Sequence, residues 1–193
     1  MQTYVPLHRR RREGVTDYRA RRKAITSSVP LLVVRVSNKN VLAQFVRPKV
    51  QGDSVLASIH SRRLLKVGWR GSLKSTPACY LLGFMAGKEA LNKGVKEAVI
   101  YNGLAPFVSG ARVAAFAKGA VDAGVSIPIG EEVLPSEDRV TGKAIAEYAA
   151  KLAAEDKERY TRAFSGLLKG GFKPEEYAEE FEKVKASIAG GKK

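Results

Sequence analysis

The strongest chemical signal in this sequence is a set of basic residues crowded near its beginning. Eight of the 34 Lys and Arg residues lie in the segment 8–23, where Glu13 and Asp17 are the only acids. A guanidinium group is planar, charged and rich in donors, so it suits phosphate oxygens and guanine edges. Four consecutive arginines cannot share one helix face, and we expect the run to stay extended or disordered until a polyanion orders it. The candidate anion-binding residues are Arg9, Arg10, Arg11, Arg12, Arg19, Arg21, Arg22 and Lys23.

The residues that follow the arginine run favour a nucleic acid as the anion. Thr16 is predicted to cap a helix that has Asp17 in its first turn. Tyr18 then places a flat ring among arginines, a mixture typical of surfaces on which bases stack. The alternative is a solvated tail or a localisation signal, since basic runs are common in both.

No pattern typical of catalysis or of metal binding accompanies these cations. The two histidines, His8 and His60, have no acid at the spacing of a catalytic triad or a metal site, and Cys79 is the only cysteine. Residues 83–88 resemble a phosphate loop, but the spacing of their glycines is wrong and they lie inside a predicted helix. The sequence therefore predicts no enzyme, no cofactor, no bound metal and no small-molecule substrate.

The charge of the chain is strongly polarised. Net charge is +15 over 193 residues, and the first 76 residues carry +14 of it, while residues 131–193 sum to −1. A basic surface of this size indicates a polyanionic partner. The sequence has no apolar segment long enough for a signal peptide or a membrane span, so we expect a cytoplasmic protein without a membrane partner.

The elements that must position these residues form an α/β domain with a mixed sheet of about five strands and two packing helices. The second strand is predicted at 41–46, and the third is predicted to carry Val55, Ala57 and Ile59 on one face. Thr76 and Pro77 are predicted to begin the first packing helix, with Thr76 as its N-cap. The predicted strands are 31–36, 41–46, 54–60, 95–101 and 125–129. The packing helices are predicted from 76 to 92 or 93 and from 109 to 122.

The chain divides into three predicted regions. Residues 1–27 form a basic arm, residues 28–130 form the α/β core, and residues 131–193 form a helical C-terminal extension. The extension is predicted to contain helices at 143–155, at 159–169 and from Lys173 onward. In the last of these, Tyr177, Phe181, Val184 and Ile188 recur at helical spacing and predict a packing face.

A glycine-bearing basic loop, residues 66–76, offers a second candidate site. Arg70, Lys74 and backbone amides of an exposed loop can bind RNA, with Trp69 as a stacking or packing platform. The alternative is that Trp69 belongs to the core or to a lid. Both interpretations remain open from the residues alone.

Three segments together resemble a known family: RRRREGVTDYRARR (9–22), LLVVRVSNK (31–39) and GWRGSLKSTPACYLLG (68–83). They are similar to the universal 5S-rRNA-binding ribosomal protein, protein eighteen of the bacterial large subunit, in its longer archaeal and eukaryotic form. The resemblance implies a protein that binds 5S rRNA and anchors it in the central protuberance, touching large-subunit rRNA and neighbouring ribosomal proteins. It also implies RNA contacts by the arm, including Thr16 and Tyr18, by Asn38 and Lys39 at a hairpin tip, and by Arg70, Lys74 and Ser75.

Two other function classes stay open beside this one. An RNA-processing enzyme, or its RNA-binding subunit, requires carboxylates that face the arm. A basic protein-interaction scaffold requires that binding to its partners survive nuclease treatment.

Overall fold

The computed structural model describes residues 5–190, so the first four residues of the predicted arm lie outside the described part. Its strands form one mixed sheet in the order β3-β2-β1-β4, in which β2 pairs antiparallel with β1 and β3, and β4 pairs parallel with β1. The predicted mixed α/β architecture is confirmed, with four strands in residues 5–190 where about five were expected. The strands are β1 (Leu31–Val36), β2 (Val41–Arg47), β3 (Ser54–His60) and β4 (Val99–Ile100).

Helices make up most of the remaining regular structure. The α-helices are α1 (Arg9–Arg12), α2 (Tyr18–Ser27), α3 (Arg63–Lys66), α4 (Thr76–Asn92), α5 (Arg112–Asp122), α6 (Glu137–Thr141), α7 (Lys143–Glu155), α8 (Lys157–Ala163), α9 (Ser165–Lys169) and α10 (Tyr177–Ala189), with 3-10 turns at Glu131–Val133 and Pro174–Glu176. Within residues 5–190, none of the helices combines the length and the apolar content needed to cross a bilayer.

The β1–β2–β3 meander is the part of the sheet that its local sequence explains best. Alternation along β1 sends Leu32 and Val34 into the core and leaves Arg35 exposed on the opposite face. In β3, Ala57 and Ile59 are buried, whereas Val55, predicted on the same face, is 51% exposed. A register shift opposite the start of β3 breaks the alternation there.

The predicted fourth and fifth strands are largely absent as strands. Only Val99–Ile100 of the segment 95–101 pairs with β1, and the segment 125–129 contributes a single bridge, between Ser126 and Glu97. Val125 and Ile127 are nevertheless buried. The apolar pattern therefore predicted burial correctly but overestimated the amount of strand pairing.

The two packing helices meet through glycines. Helix α4 packs on the sheet and most extensively on α5. A Cβ added at Gly83 would lie 2.0 Å from the carbonyl oxygen of Phe116, and one at Gly119 would lie 2.1 Å from that of Tyr80. The glycine-rich segment 83–88 thus serves close helix packing. Ser75, one residue before the predicted cap, accepts the N-terminal bond of α4 from the amide of Ala78.

The C-terminal helices close the same core. Tyr177, Phe181, Val184 and Ile188 are all buried, which confirms the predicted packing stripe. Helix α7 has the predicted bounds, whereas the second predicted helix is broken at Phe164 into α8 and α9. The acidic segment after Gly130 contains a 3-10 turn and α6.

The arm is more structured than expected. The arginine run forms the single helical turn α1, closed by bonds such as that from the amide of Glu13 to the carbonyl of Arg9 (3.0 Å), so the prediction of an extended run was wrong. The chain reverses at Gly14, whose φ of +66° suits glycine. Helix α2 is capped by Asp17, which accepts bonds from the amides of Arg19 and Ala20, and not by Thr16 as predicted.

Candidate nucleic-acid interface

Most of the basic side chains of the arm are directed to solvent. The four arginines of α1 are exposed, and their guanidinium groups spread to different sides of one helical turn. Arg10 Nε donates a bond of 2.8 Å to Thr16 Oγ1, so this predicted contact residue also holds the turn against the segment before α2. Arg9 Nε lies 3.8 Å from Glu13 Oε1, so these two side chains form a loose ion pair that solvent screens.

Helix α2 presents three cations on one side. Arg19, Arg22 and Lys23 are exposed and follow one another at i, i+3 and i+4, the spacing that places side chains on the same helix face. They line a shallow groove of about 640 Å³ together with Thr26 and Ser27. Such a row of cations suits consecutive phosphates of a nucleic-acid backbone.

Arg21, on the same helix, pairs with other residues of this protein. Its Nη1 donates a bond of 2.8 Å to Asp53 Oδ2, and its Nη2 bonds both Asp53 Oδ1 and, at 3.2 Å, the carbonyl oxygen of Lys49. The side chain of Arg21 is 23% exposed and that of Asp53 35%. Hydrogen bonding from Arg21 lowers the pKa of Asp53, and the same bond raises the pKa of Arg21.

Where the arm meets the sheet, the two enclose a groove of about 380 Å³. The face of β1 turned away from the core forms its floor, and the arm forms one wall. The groove is lined by side chains that can bind an anion or stack on a base: Arg10, Tyr18, Arg21, Arg35 and Tyr101. Among the described residues that line it, the only acid is Asp53, which is already paired with Arg21. Tyr18 is 40% exposed.

Arg35 and Tyr101 were missed by sequence reasoning. Arg35 interrupts the apolar run LLVVRV, and a charged residue inside a strand of this kind is a signal that its side chain faces away from the core. Tyr101 carried no such signal, because its place beside the arm depends on the parallel pairing of β4 with β1.

The hairpin tip between β1 and β2 is exposed and rigidly held. Asn38 and Lys39, both predicted RNA contacts, are exposed at the tip. The turn is closed by Ser37, whose amide and hydroxyl both donate to the carbonyl of Asn40 at 2.8 and 2.9 Å. Buried Ser61 donates to Asn40 Oδ1 at 3.3 Å and so fixes the base of the tip.

The loop 66–76 has a buried centre and an exposed basic rim. Trp69 is 1% exposed and its Nε1 donates to the carbonyl of Ser72 at 3.3 Å, so it has no ring face to offer to a base and the stacking prediction was wrong. The packing alternative is confirmed. Arg70 and Lys74 are exposed on the rim.

A residue of the C-terminal extension holds this loop in place. Tyr177 Oη accepts a bond of 2.7 Å from the amide of Ser72, and its ring meets that of Trp69 edge-on with centroids 5.6 Å apart. A Cβ at Gly71 would lie 2.8 Å from the ring of Trp69 and 2.8 Å from Tyr177 Oη. Ser75, another predicted contact, uses its hydroxyl to donate to the carbonyl of Ser72 at 2.8 Å.

The described residues contain no cluster of three or more His, Cys, Asp or Glu side chains that could hold a metal ion.

Comparison with known proteins gives a consistent result over nearly the whole chain. A family model described as "Ribosomal large subunit proteins 60S L5, and 50S L18" matches residues 2–102. A protein of Thermofilum pendens is 49% identical over 95% of this chain and 93% of its own length. One of Methanothermobacter thermautotrophicus is 46% identical over 96% of this chain and 95% of its own length, and one of Aeropyrum pernix is 48% identical over 95% and 86%. All three relatives bear the name large ribosomal subunit protein uL18.

Proposed function

The chain belongs to the uL18 family of large-subunit ribosomal proteins, and from that premise we propose that it binds 5S rRNA and anchors it to the large-subunit rRNA in the central protuberance. The family resemblance seen in the sequence is confirmed. Members of this family are structural proteins and not enzymes, so the predicted non-catalytic role is confirmed as well. The protein functions in the large subunit of the cytoplasmic ribosome.

The observation that carries the proposal is the set of exposed cations on the arm beside the groove that the arm forms with the outer face of the sheet. Exposed cations of α1 and α2 supply charge for phosphates, and the groove beside Arg35 places aromatic rings among them. Phosphate contacts supply position and most of the affinity, while ring stacking suits unpaired bases of a folded RNA. We propose that the hairpin tip and the rim of loop 66–76 add contacts to rRNA.

The nearly neutral C-terminal extension suits a different role. Residues 131–193 carry a net charge of −1, so they have little electrostatic attraction for RNA. We propose that their outer surface faces neighbouring ribosomal proteins.

A salt titration tests the proposal. Neutralising about six phosphates predicts that log K falls against log salt with a slope of roughly −4 to −5. Gel-shift titrations of 5S rRNA at several salt concentrations measure the slope, and transfer RNA serves as the non-specific control. A flat salt response, or equal affinity for both RNAs, would contradict the proposal.

The cellular form of the protein offers a second test. We expect it to sediment with the large ribosomal subunit and to carry 5S rRNA when it is released from that subunit. Ribonuclease treatment before purification should abolish the association. An association that survives the treatment would favour the protein-interaction scaffold.

A further inference from the structure

We infer that Arg21 and Asp53 form a clamp that seats the arm on the sheet before RNA binds, so that Asp53, an acid within a basic surface, increases the affinity for RNA. Arg21 is then a positioning residue and not an RNA contact, which differs from its prediction as an anion-binding residue. The effect on affinity rests on the proposed binding of 5S rRNA, whereas the seating of the arm does not.

The geometry of the pair separates Arg21 from the other cations of α2. Two guanidinium nitrogens of Arg21 meet the two carboxylate oxygens of Asp53, the bidentate arrangement that gives arginine–carboxylate pairs their strength and direction. The bond from Arg21 to the carbonyl of Lys49 and that from the amide of Lys49 to Asp53 (3.4 Å) tie the pair to the turn between β2 and β3. Arg22, the next residue, is exposed.

The clamp is needed because α2 is short. It has 10 residues and buries only Ala24, and helices shorter than about 12 residues are marginal in water without tertiary contacts. The ion pair of Arg21 with Asp53 joins α2 to the turn between β2 and β3, 32 residues further along the chain. An arm without it has to be ordered at the moment of RNA binding, which lowers the affinity.

The clamp also determines which residues share the RNA surface. Seating α2 on the sheet creates the groove in which Tyr18 and Arg10 of the arm lie with Arg35 and Tyr101 of the core. An unseated arm separates these two pairs. The interface is therefore expected to include Arg35 and Tyr101.

The sign of one substitution distinguishes this inference from simple electrostatics. Asp53→Asn removes a negative charge, so long-range attraction alone predicts tighter RNA binding. The clamp predicts weaker binding, by about tenfold, because the fraction of chains with a seated arm falls. Glu13→Gln is the matched control, since it removes an exposed acid of the arm that makes only the loose pair with Arg9. It should leave binding unchanged or tighten it.

Hydrogen exchange of the free protein tests the seating without any RNA. Amides of α2 should exchange at least about fivefold faster in Asp53→Asn than in the wild type or in Glu13→Gln, because a helix without its docking contact opens more often. The exchange rates of α4 and the thermal midpoint should not change, which separates loss of the clamp from general destabilisation.

A charge swap provides the rescue. Arg21→Asp alone should unseat the arm and weaken binding to 5S rRNA, and Arg21→Asp with Asp53→Arg restores an ion pair of opposite polarity. The double variant should recover slow exchange in α2 and part of the affinity.

The outcomes separate the two proposals. Unchanged exchange in Asp53→Asn, or RNA binding by this variant as tight as that of the wild type, would overturn the clamp alone. Failure of the wild type to bind 5S rRNA would overturn the proposed function, and with it the effect on affinity, while fast exchange in Asp53→Asn would still support the seating of the arm.

Discussion

Arg21 and Arg22 are adjacent in α2, and the environments of their guanidinium groups differ completely. Arg21 is bound to a carboxylate and a carbonyl of the turn between β2 and β3, whereas Arg22 is exposed in the groove formed with Arg19 and Lys23. A phosphate that approaches α2 meets Arg22 without having to displace an acid. We therefore assign direct phosphate contact to Arg22.

Replacing Arg22 by alanine tests this assignment. We expect Arg22→Ala to weaken binding similarly for different RNAs and to reduce the salt slope by about 1, because one phosphate contact is lost. Gel-shift titrations at several salt concentrations measure both quantities. Arg162→Ala, which removes an exposed arginine of α8, is the matched control and should leave the slope unchanged. An unchanged slope in Arg22→Ala would place that side chain outside the interface.

The exposure of single residues was predictable where neighbours in the chain decide it. Apart from Arg21, the cations of α1 and α2 are exposed, because too many of them share a short segment for all to be buried. The roles of Arg21 and Trp69 depend on Asp53 and Tyr177, which lie 32 and 108 residues further along the chain. No local pattern contains these pairings, so the sequence left Trp69 open and assigned Arg21 to RNA.

Cys79 makes stability sensitive to alkaline pH. Burial raises the pKa of its thiol from 9.0 to about 12. An unfolded chain loses this proton near pH 9 while the folded chain retains it, so the free energy of unfolding falls as pH rises from about 9. Burial also raises the pKa of Tyr80 and Tyr177 above the ordinary value of 10.0. Their contribution begins at higher pH.

The substitution Cys79→Ala isolates the thiol. We expect it to lower stability at pH 7, because it leaves a small void, and to make the decline between pH 9 and 10 shallower than in the wild type. Urea unfolding under reducing conditions at pH 7, 9 and 10 measures the effect. Parallel pH profiles for the two proteins would contradict it.

At the scale of elements, the packing of α4 on α5 depends on the absence of side chains. Gly83 and Gly119 each bring a helix against a backbone carbonyl of the other, and Gly87 faces Ala123 with space for no further atom. Close backbone approach of this kind requires glycine although glycine costs helix stability. The stability of the α4–α5 pair can therefore be judged only from its three-dimensional contacts.

Substitution of Gly83 tests the importance of this contact. Gly83→Ala should destabilise the protein by about 3 kcal/mol, the upper part of the range for overpacking, because the added methyl group collides with the carbonyl of Phe116 and neither backbone can move aside freely. Gly166→Ala in α9 is the control: its Cβ meets open space, and we expect it to be neutral or to stabilise by up to about 1 kcal/mol. Equal effects of the two substitutions in chemical denaturation would contradict the packing account.

The sequence predicted elements well where signals at both ends agree. Strand β1, strand β3 and helix α7 have the predicted bounds, and α4 ends at Asn92, before Gly94. The segments 95–101 and 125–129 were assigned too much strand. Their bonds are few, such as Ala98 N to Ser126 O (3.0 Å) and Tyr101 N to Leu32 O (2.9 Å). An apolar run indicates that a segment is buried, but a buried segment does not have to pair with a neighbouring strand over its whole length.

At the scale of the whole molecule, the C-terminal extension is structurally part of the core. Tyr177 and Phe181 of α10 contact Trp69 and Tyr80, and all four side chains are buried. Lys88 of α4 donates to the carbonyls of Ile188 and Ala189 at 3.0 Å each and so caps the end of α10. From charge alone, we expected residues 131–193 to matter little for RNA binding, but their removal uncovers the core.

Truncation makes this dependence measurable. A chain that ends at residue 130 should lose cooperative thermal unfolding, because the buried rings of Trp69 and Tyr80 become accessible to water. A chain that begins at residue 24 should keep its unfolding midpoint and lose most of its affinity for 5S rRNA. Circular dichroism and gel shifts measure the two properties. A stable chain ending at residue 130 would show that the extension is a separate unit.

The bond between Ser72 and Tyr177 joins residues 105 positions apart. Because chains fold from the N-terminus as they are made, the β1–β2 hairpin can form early, yet loop 66–76 lacks its bond and ring contact with Tyr177 until that residue has been added. A nascent chain thus acquires its charged arm first, and the contacts that hold loop 66–76 are completed last. Premature termination leaves a product that attracts RNA but cannot present Arg70 and Lys74 in their final positions.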